Sequence, residues 1–311
     1  MTTIVLSTPC VTWTNITQPT QQDIDQLAEQ HPDFHPLNLH DCLTDLEFPK
    51  LDHHDDYVFL VMHMPVFDRV ERICRPVELD LFVTHGTLVT VHPGELKPVA
   101  DLFDAAASAA ASADNAHPCS DVLSKGASHL MHRVLDACVT YCDAIVARVG
   151  KNVRQIERSM FRADPDASLH EVAWVRRDII SLRSILKPQL AVIQALIAGN
   201  WSFIHEELDP YWGDIGDHLA QQCALLDECS EVIAGLSDTI DTLASHRIDA
   251  VVRVLTVVTV LTMPLTLLAA MFGMNVALPF SQHPLAFFGL VAFGVIMSVA
   301  VTVYLRKRRW L

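Results

Sequence analysis

Val254–Met274 reads VLTVVTVLTMPLTLLAAMFGM, 21 residues without Asp, Glu, Lys, Arg or His. A second uncharged stretch of 21, Leu285–Leu305, reads LAFFGLVAFGVIMSVAVTVYL, and Arg306-Lys307-Arg308-Arg309-Trp310-Leu311 closes the chain. A helix rises ~1.5 Å per residue and the hydrocarbon core of a bilayer is ~30 Å thick, so ~20 apolar residues span it. Two such runs joined by ten residues predict a helical hairpin in a membrane. Gly273-Met274-Asn275 lies where the first span meets the turn. Unpaired backbone and a side-chain amide are costly there unless they line water, so the tripeptide predicts an ion mouth.

Charge divides the chain. Residues 251–311 hold five basic residues and no acid, whereas residues 1–250 hold 17 basic and 37 acidic ones, a net charge of −20. Basic residues directly after a span stay in the cytoplasm, so the C-terminus is expected there. Two spans return the N-terminal part to the same side, and the turn 276–284 faces outward. Residues 1–30 lack a basic leader and carry Asp23, Asp25 and Glu29, which predicts no secretory signal. The localisation expected is an inner (plasma) membrane, multi-pass, with membrane lipid as surroundings. An acidic lobe concentrates divalent cations and repels nucleic acid. Eight cysteines contain no C-x-x-C pair. Cys138 and Cys142, four apart on a helix, could touch, but small buried thiols in a reducing compartment fit better.

Upstream, residues 1–100 alternate strand signals with short polar loops. Thr3–Leu6 and Tyr57–Met64 are β-rich, and Leu79–Val83 and Leu88–Val91 flank a hairpin turn at Thr84-His85-Gly86-Thr87. Gln18–Gln30 reads as a helix capped by Thr17 or Thr20. Residues 101–250 are helical: Ser120–Ser159, Ser168–Ala198 and a third stretch from near Phe203 place apolar residues at three- and four-residue spacing. Ala105–Ala116 reads as helix or as loose loop, and Pro188 predicts a kink. The third stretch continues into the first span without a breaker before Pro264, giving a helix about 60 residues long, ~90 Å by rise. A helix of that length needs partners, so an oligomer is expected. The fold class is α+β: an α/β lobe, a long stalk helix, and the transmembrane hairpin of residues 251–311.

Counting back from Gly273 in alternating steps of three and four gives Ala270, Thr266, Met263, Thr259, Thr256, Val252 and Asp249. This heptad spacing turns one stripe of each helix toward a common axis. It gathers three of the span's four threonines. Hydroxyls that touch hydrated ions and an apolar constriction that excludes water are what a pore needs. Threonines in membranes also bond their own helix backbone, which explains any single one of them. Asn275 offers a neutral amide oxygen, and magnesium, which sheds water reluctantly, suits a ring of neutral oxygens around its hydration shell. Gly273 allows backbone conformations closed to other residues and can also end the helix. Met263 supplies an apolar constriction beside Pro264.

Met263-Pro264-Leu265-Thr266, Gly273-Met274-Asn275, the short loop, the second span and the basic tail ending Trp310-Leu311 together resemble the CorA family of magnesium channels. The likeness extends through Asp56-Tyr57-Val58-Phe59-Leu60 and Asp214-Ile215-Gly216-Asp217-His218. The resemblance implies a funnel-shaped homopentamer with five first spans around the pore. It implies Gly273, Met274 and Asn275 as the selectivity filter, Thr266 and Met263 on the path, and Leu255 with Met263 at a hydrophobic gate. Leu255 lies one residue off the heptad stripe, so its exposure rests on the resemblance. No cofactor is implied; Mg2+ is both substrate and regulatory ligand. Asp68 falls at the family's inter-subunit metal-sensing acid and Asp214 at its partner position, so that intracellular metal would bridge them and close the assembly.

Two departures stand out. Asp249 occupies a position where the family commonly has Asn, and a carboxylate ring there would hold divalent ions more tightly or else carry raised pKa values through mutual repulsion. The turn 276–284 contains no acid where the family often has Met-Pro-Glu-Leu, which removes an outer anionic trap. Asp52-His53-His54-Asp55-Asp56 offers transition-metal donors, although neighbours in sequence rarely converge on one ion. No G-x-x-x-x-G-K-[ST], H-E-x-x-H or G-x-S-x-G motif occurs, so no enzyme is announced. Two alternatives remain open: a zinc, cobalt or nickel transporter on the same scaffold, proton-coupled or not, and a membrane-anchored sensor that does not conduct.

Overall fold

The computed structural model describes residues 3–44, 46–71, 73–111, 123–159, 165–199, 201, 206–274 and 285–307. It divides into two units, Met1–Ser237 and Asp238–Leu311.

The first unit is built on a six-stranded sheet of β1 (Thr3–Ser7), β2 (Thr12–Thr17), β3 (Lys50–His53), β4 (Val58–Asp68), β5 (Ile73–Val83) and β6 (Thr87–His92). Their order is β1-β2-β6-β5-β4-β3. Among the described strands only β2 and β6 pair in parallel. After β2 the chain turns into α1 (Gln21–Gln30) and α2 (Pro36–Asp41), which cover one face. There Ile24, Leu27, Phe34 and Leu39 share a core with Phe59, Val61, Phe82 and Val91. Thr20 is the residue that caps α1: its hydroxyl accepts the Asp23 N–H at 3.3 Å, and Asp23 accepts the Thr20 N–H at 3.0 Å.

The opposite face is covered by α3 (Lys97–Ala111), α4 (Ala127–Ser159) and α5 (Pro165–Ala198). Trp13, on the strand side away from Ile16, meets Phe103 edge-on at 4.8 Å. With helices on both faces, β4 has no side for water, and Val58–Pro65 are all buried. The alanine-rich stretch is therefore helical as far as Ala111. Pro188 sits inside α5 without ending it. Gln189 beside it donates to the His63 carbonyl of β4, fastening the helix to the sheet. A 3-10 turn, Glu206–Leu208, precedes α6 (Asp209–Phe272), which buries Trp212, Ile215, Leu219 and Leu226 within this unit.

In the second unit the end of α6 packs on α7 (Ala286–Lys307). The contact runs along Leu261, Pro264 and Leu268 of α6 and Gly294, Met297 and Val301 of α7. Its surface is apolar: Leu255, Met263, Phe288 and Ile296 are each about two-thirds exposed. Asp209–Met271 contains an 18-residue window of mean hydropathy 2.2 that is only 6% buried. Leu169–Ala198 also passes on length and composition, but its window is 44% buried, as expected of a helix packed on a sheet. The apolar helix surface that is almost wholly exposed lies on α6 and α7 in the second unit.

Candidate functional site

The stripe read from the sequence lies on the uncovered side of α6. Each residue turns a helix by ~100°, so Val257, Leu261, Pro264 and Leu268, at steps of four, three and four, share one side. Val257 is buried, and the other three line the seam with α7. Counted by the same rotation, Val252, Thr259, Met263, Thr266 and Ala270 point roughly the opposite way. All five are exposed in the single chain; Thr256, nearer the seam, is half-buried. Leu255 is 65% exposed, on the same open side, although the heptad count excludes it. Asp249 is exposed one turn below Val252 and Arg253.

The threonine hydroxyls are already donating. Thr256, Thr259, Thr262 and Thr266 each give their hydrogen to the carbonyl four residues earlier, at 2.7, 2.8, 2.9 and 2.9 Å. A hydroxyl so committed keeps its lone pairs as acceptors. The waters around a cation point their hydrogens outward and need acceptors. Backbone bonding and ion contact therefore coexist on the same residue.

At the helix end, Gly273 N–H donates to Ala269 O at 3.0 Å and to Ala270 O at 3.2 Å, and Met274 N–H to Met271 O at 3.4 Å. The last turn thus tightens from four-residue toward three-residue spacing. Gly273 is not among the described glycines with positive φ, which are Gly94 and Gly126. The left-handed cap that its sequence position suggested is not formed. Asn275, the turn 276–284 and Arg308–Leu311 lie outside the described residues.

The two acids assigned to sensing sit in the first unit. Asp68 ends β4, and its Oδ1 accepts the N–H groups of Val70 at 2.7 Å and Glu71 at 3.1 Å. Those two bonds hold its carboxyl below the usual range, so it remains a carboxylate in water. Asp214 is exposed on α6, its Oδ1 3.8 Å from His218 Nε2 one turn on. Among the described residues no hydrogen bond or ion pair joins Asp68 to Asp214 within the chain.

Asp143 and His218 are the neighbours that sequence reasoning missed. His218 Nδ1 lies 3.7 Å from Asp143 Oδ2 of α4. Gln222 donates to Asp143 Oδ1 at 2.6 Å and to the Val139 carbonyl at 2.9 Å, which fixes that carboxylate. One imidazole thus stands between two carboxylates. The i, i+4 spacing of Asp214 and His218 was readable in the sequence; the approach of Asp143 from another helix was not. In the histidine-rich segment, His54 stacks on Tyr57 at 4.4 Å and His53 meets Trp201 edge-on at 4.8 Å. Among the described residues no three His, Cys, Asp or Glu side chains group to hold a metal ion. Cys42, Cys74, Cys138 and Cys142 are free and buried.

These features can be set beside known proteins. The chain is 24% identical over 306 residues to the cobalt/magnesium transport protein CorA of Thermotoga maritima, covering 98% of this chain and 84% of that one. It is 22% identical over 181 residues to the zinc transport protein ZntB of Cronobacter sakazakii, covering 56% of this chain and 55% of that one. In three dimensions it matches the complete structure of the CorA magnesium transporter from Methanocaldococcus jannaschii with a TM-score of 0.81 at 16% identity, covering 99% and 94% of the two chains. The full-length CmaX protein matches with a TM-score of 0.74 at 18% identity, covering 99% and 90%. The fold is therefore the mixed α+β fold of those proteins, a sheet lobe with long helices. The CorA-like Mg2+ transporter protein family matches residues 10–307, and the chain belongs to that family.

Proposed function

We propose that this protein is a divalent-cation channel of the inner membrane, admitting Mg2+ down its electrochemical gradient and closed by intracellular divalent metal. Transport of a divalent cation follows from the family; the ion and the gating are our reading. In it α6 and α7 cross the membrane, both termini are cytoplasmic, and five chains assemble with their α6 stripes toward one axis. Membrane lipid covers the outer apolar surface. The carrying observation is that the face bearing Thr259, Met263 and Thr266 is uncovered and roughly opposite the α7 seam. A stripe left open by its own hairpin partner is available to other copies of the chain.

In this reading a hydrated ion passes a ring of Asn275 amides with Gly273 and Met274. It then passes the acceptor oxygens of Thr266, Thr259 and Thr256, with Val252 and Ala270 as small apolar spacers. Met263 and Leu255 form the dry constriction, and Asp249 closes the inner end with charge. The driving force is the membrane potential, worth ~2.3 kcal/mol per charge per 100 mV. Asp68 of one chain and Asp214 of the next repel as carboxylates until a divalent ion bridges them, so metal entry shuts its own path.

The test is flux into liposomes loaded with a magnesium-sensitive dye under an inside-negative potential. Mg2+ entry blocked by hexaamminecobalt(III), a mimic of the hydrated ion, is the expected result. Zn2+, Co2+ or Ni2+ flux without Mg2+ entry would move the protein to the second reading, a transition-metal transporter. That reading is favoured by one observation, the His218 imidazole beside Asp214, because imidazole suits those metals better than magnesium.

A further inference from the structure

In the second unit α6 and α7 run antiparallel along their seam, and Leu265 packs on Gly294. Twelve residues back along α6 from Leu265 stands Arg253, and twelve residues on along α7 from Gly294 stands Arg306, followed by Lys307. At ~1.5 Å per residue the three cations lie at nearly one level, ~18 Å from that contact. Arg253 comes four residues before the buried Val257, so it stands on the side of α6 that faces α7. All three cations are exposed. Among the described residues none of them pairs with an acid, Asp249 one turn before Arg253 included. Like charges brought to one level by two packed helices repel unless an anion comes between them.

The surroundings select the anion. Val254 and Val258 of α6 and Val303 and Tyr304 of α7 adjoin the cations on the apolar side of that level, and all four are exposed. Cations bordered by exposed apolar side chains and a tyrosine mark a helix end at the boundary between lipid headgroups and acyl chains. A free phosphate would use the cations alone, whereas a phospholipid meets the cations and the apolar side chains at once. Basic side chains on two neighbouring helices suit a headgroup that carries two phosphates.

We infer that this end of the α6–α7 hairpin holds an anionic phospholipid with two phosphates, one at Arg253 and the other at Arg306 and Lys307. The inference rests on the reading that α6 and α7 cross the membrane. A basic tail alone attracts any anionic surface; a cation on the other helix at the same level makes a site for one headgroup.

The test is native mass spectrometry of the full-length protein in a nonionic detergent, titrated with cardiolipin. Phosphatidylglycerol at doubled concentration matches its phosphates, and phosphatidylcholine serves as the neutral lipid. Cardiolipin should be retained at the lowest concentration and phosphatidylcholine at the highest. Arg253→Gln should weaken cardiolipin about fivefold, the share of one cation near an anionic surface. Arg253→Lys, which keeps the charge, should restore most of that loss. Arg306→Gln combined with Lys307→Gln should weaken it about twentyfold. Unchanged cardiolipin retention in Arg253→Gln would overturn the two-helix site and leave attraction to a basic tail. Equal retention of the three lipids by a protein that needs detergent would overturn the lipid site alone. A chain that stays in solution without detergent and retains none of them would overturn the membrane reading with it.

Discussion

A Cβ placed on Gly294 of α7 would come within 2.5 Å of Leu265 Cδ2 on α6. The two helices approach at a point where one residue has no side chain, as small residues permit in membranes. The obstacle is the far end of a leucine, which can turn aside. Gly294→Ala should therefore be close to neutral, because the helix gains about 1 kcal/mol from alanine as Leu265 yields. Gly294→Phe should destabilise the hairpin by ~1–3 kcal/mol through overpacking. Thermal unfolding of the full chain in detergent checks the pair; equal midpoints for both variants would count against this contact.

On the open face of α6, Thr259→Val keeps the shape and removes the outward acceptor, while Thr262→Val removes a hydroxyl off the stripe. Dye-reported Mg2+ flux should fall severalfold in the first and hold in the second. Met263→Asp should leak by wetting the constriction. Asn275→Ala should abolish selective uptake in an intact oligomer, and unchanged flux there would remove the assigned filter.

Substitutions at Asp68 separate the proposed metal sensing from turn stability. Asparagine can still accept the Val70 and Glu71 N–H groups, so Asp68→Asn should keep the thermal midpoint and lose Mg2+-dependent protease protection. Asp68→Ala should lose both. The folded pKa is depressed, so the turn's share of stability is complete above the unfolded value of ~3.9. It is lost only as pH falls through the lower folded value. Full Mg2+ protection in Asp68→Asn would end the sensing assignment.

His92 sets an acid limit on the sheet lobe. Its Nδ1 accepts the Gly94 N–H at 3.1 Å and its Nε2 faces Asn15 Oδ1 at 3.1 Å, a neutral ring with both nitrogens engaged. Burial lowers its pKa from 6.5 to about 4. A histidine with a depressed folded pKa contributes stability fully present above the unfolded value, here 6.5. That stability drains away as pH falls toward 4, up to roughly 3 kcal/mol in all. The thermal midpoint should fall across that window, and His92→Gln should flatten the fall. An unchanged slope in the variant would place the acid sensitivity elsewhere.

The hairpin turn at Thr84–Thr87, the cap at Thr20 and the open stripe of α6 were legible because each is carried by neighbours in sequence or by a fixed period. β2, β3 and α2 were not: each is four to six residues long, too short to show a period. β4 and β5 run further than the β-rich stretches Tyr57–Met64 and Leu79–Val83, and Pro65 and Pro76 face each other within the ladder. The extra length carries Asp68 to the tip of that arm. Asp143 beside His218, and Asp178 beside Cys74, join residues far apart in sequence, and only the packing of α4, α5 and α6 unites them. Leu255 was excluded by a strict heptad count, whereas a helix of 3.6 residues per turn drifts enough to keep it on the open side.

The back-bonded threonines of α6 also bear on protons. A proton hops along hydroxyls only if each can release its own hydrogen as it receives another. Thr256, Thr259 and Thr266 have theirs committed to helix carbonyls, so this face offers a row of acceptors with no side-chain relay between them. In the channel proposed above, such a face passes a cation inside its water and makes a poor proton wire.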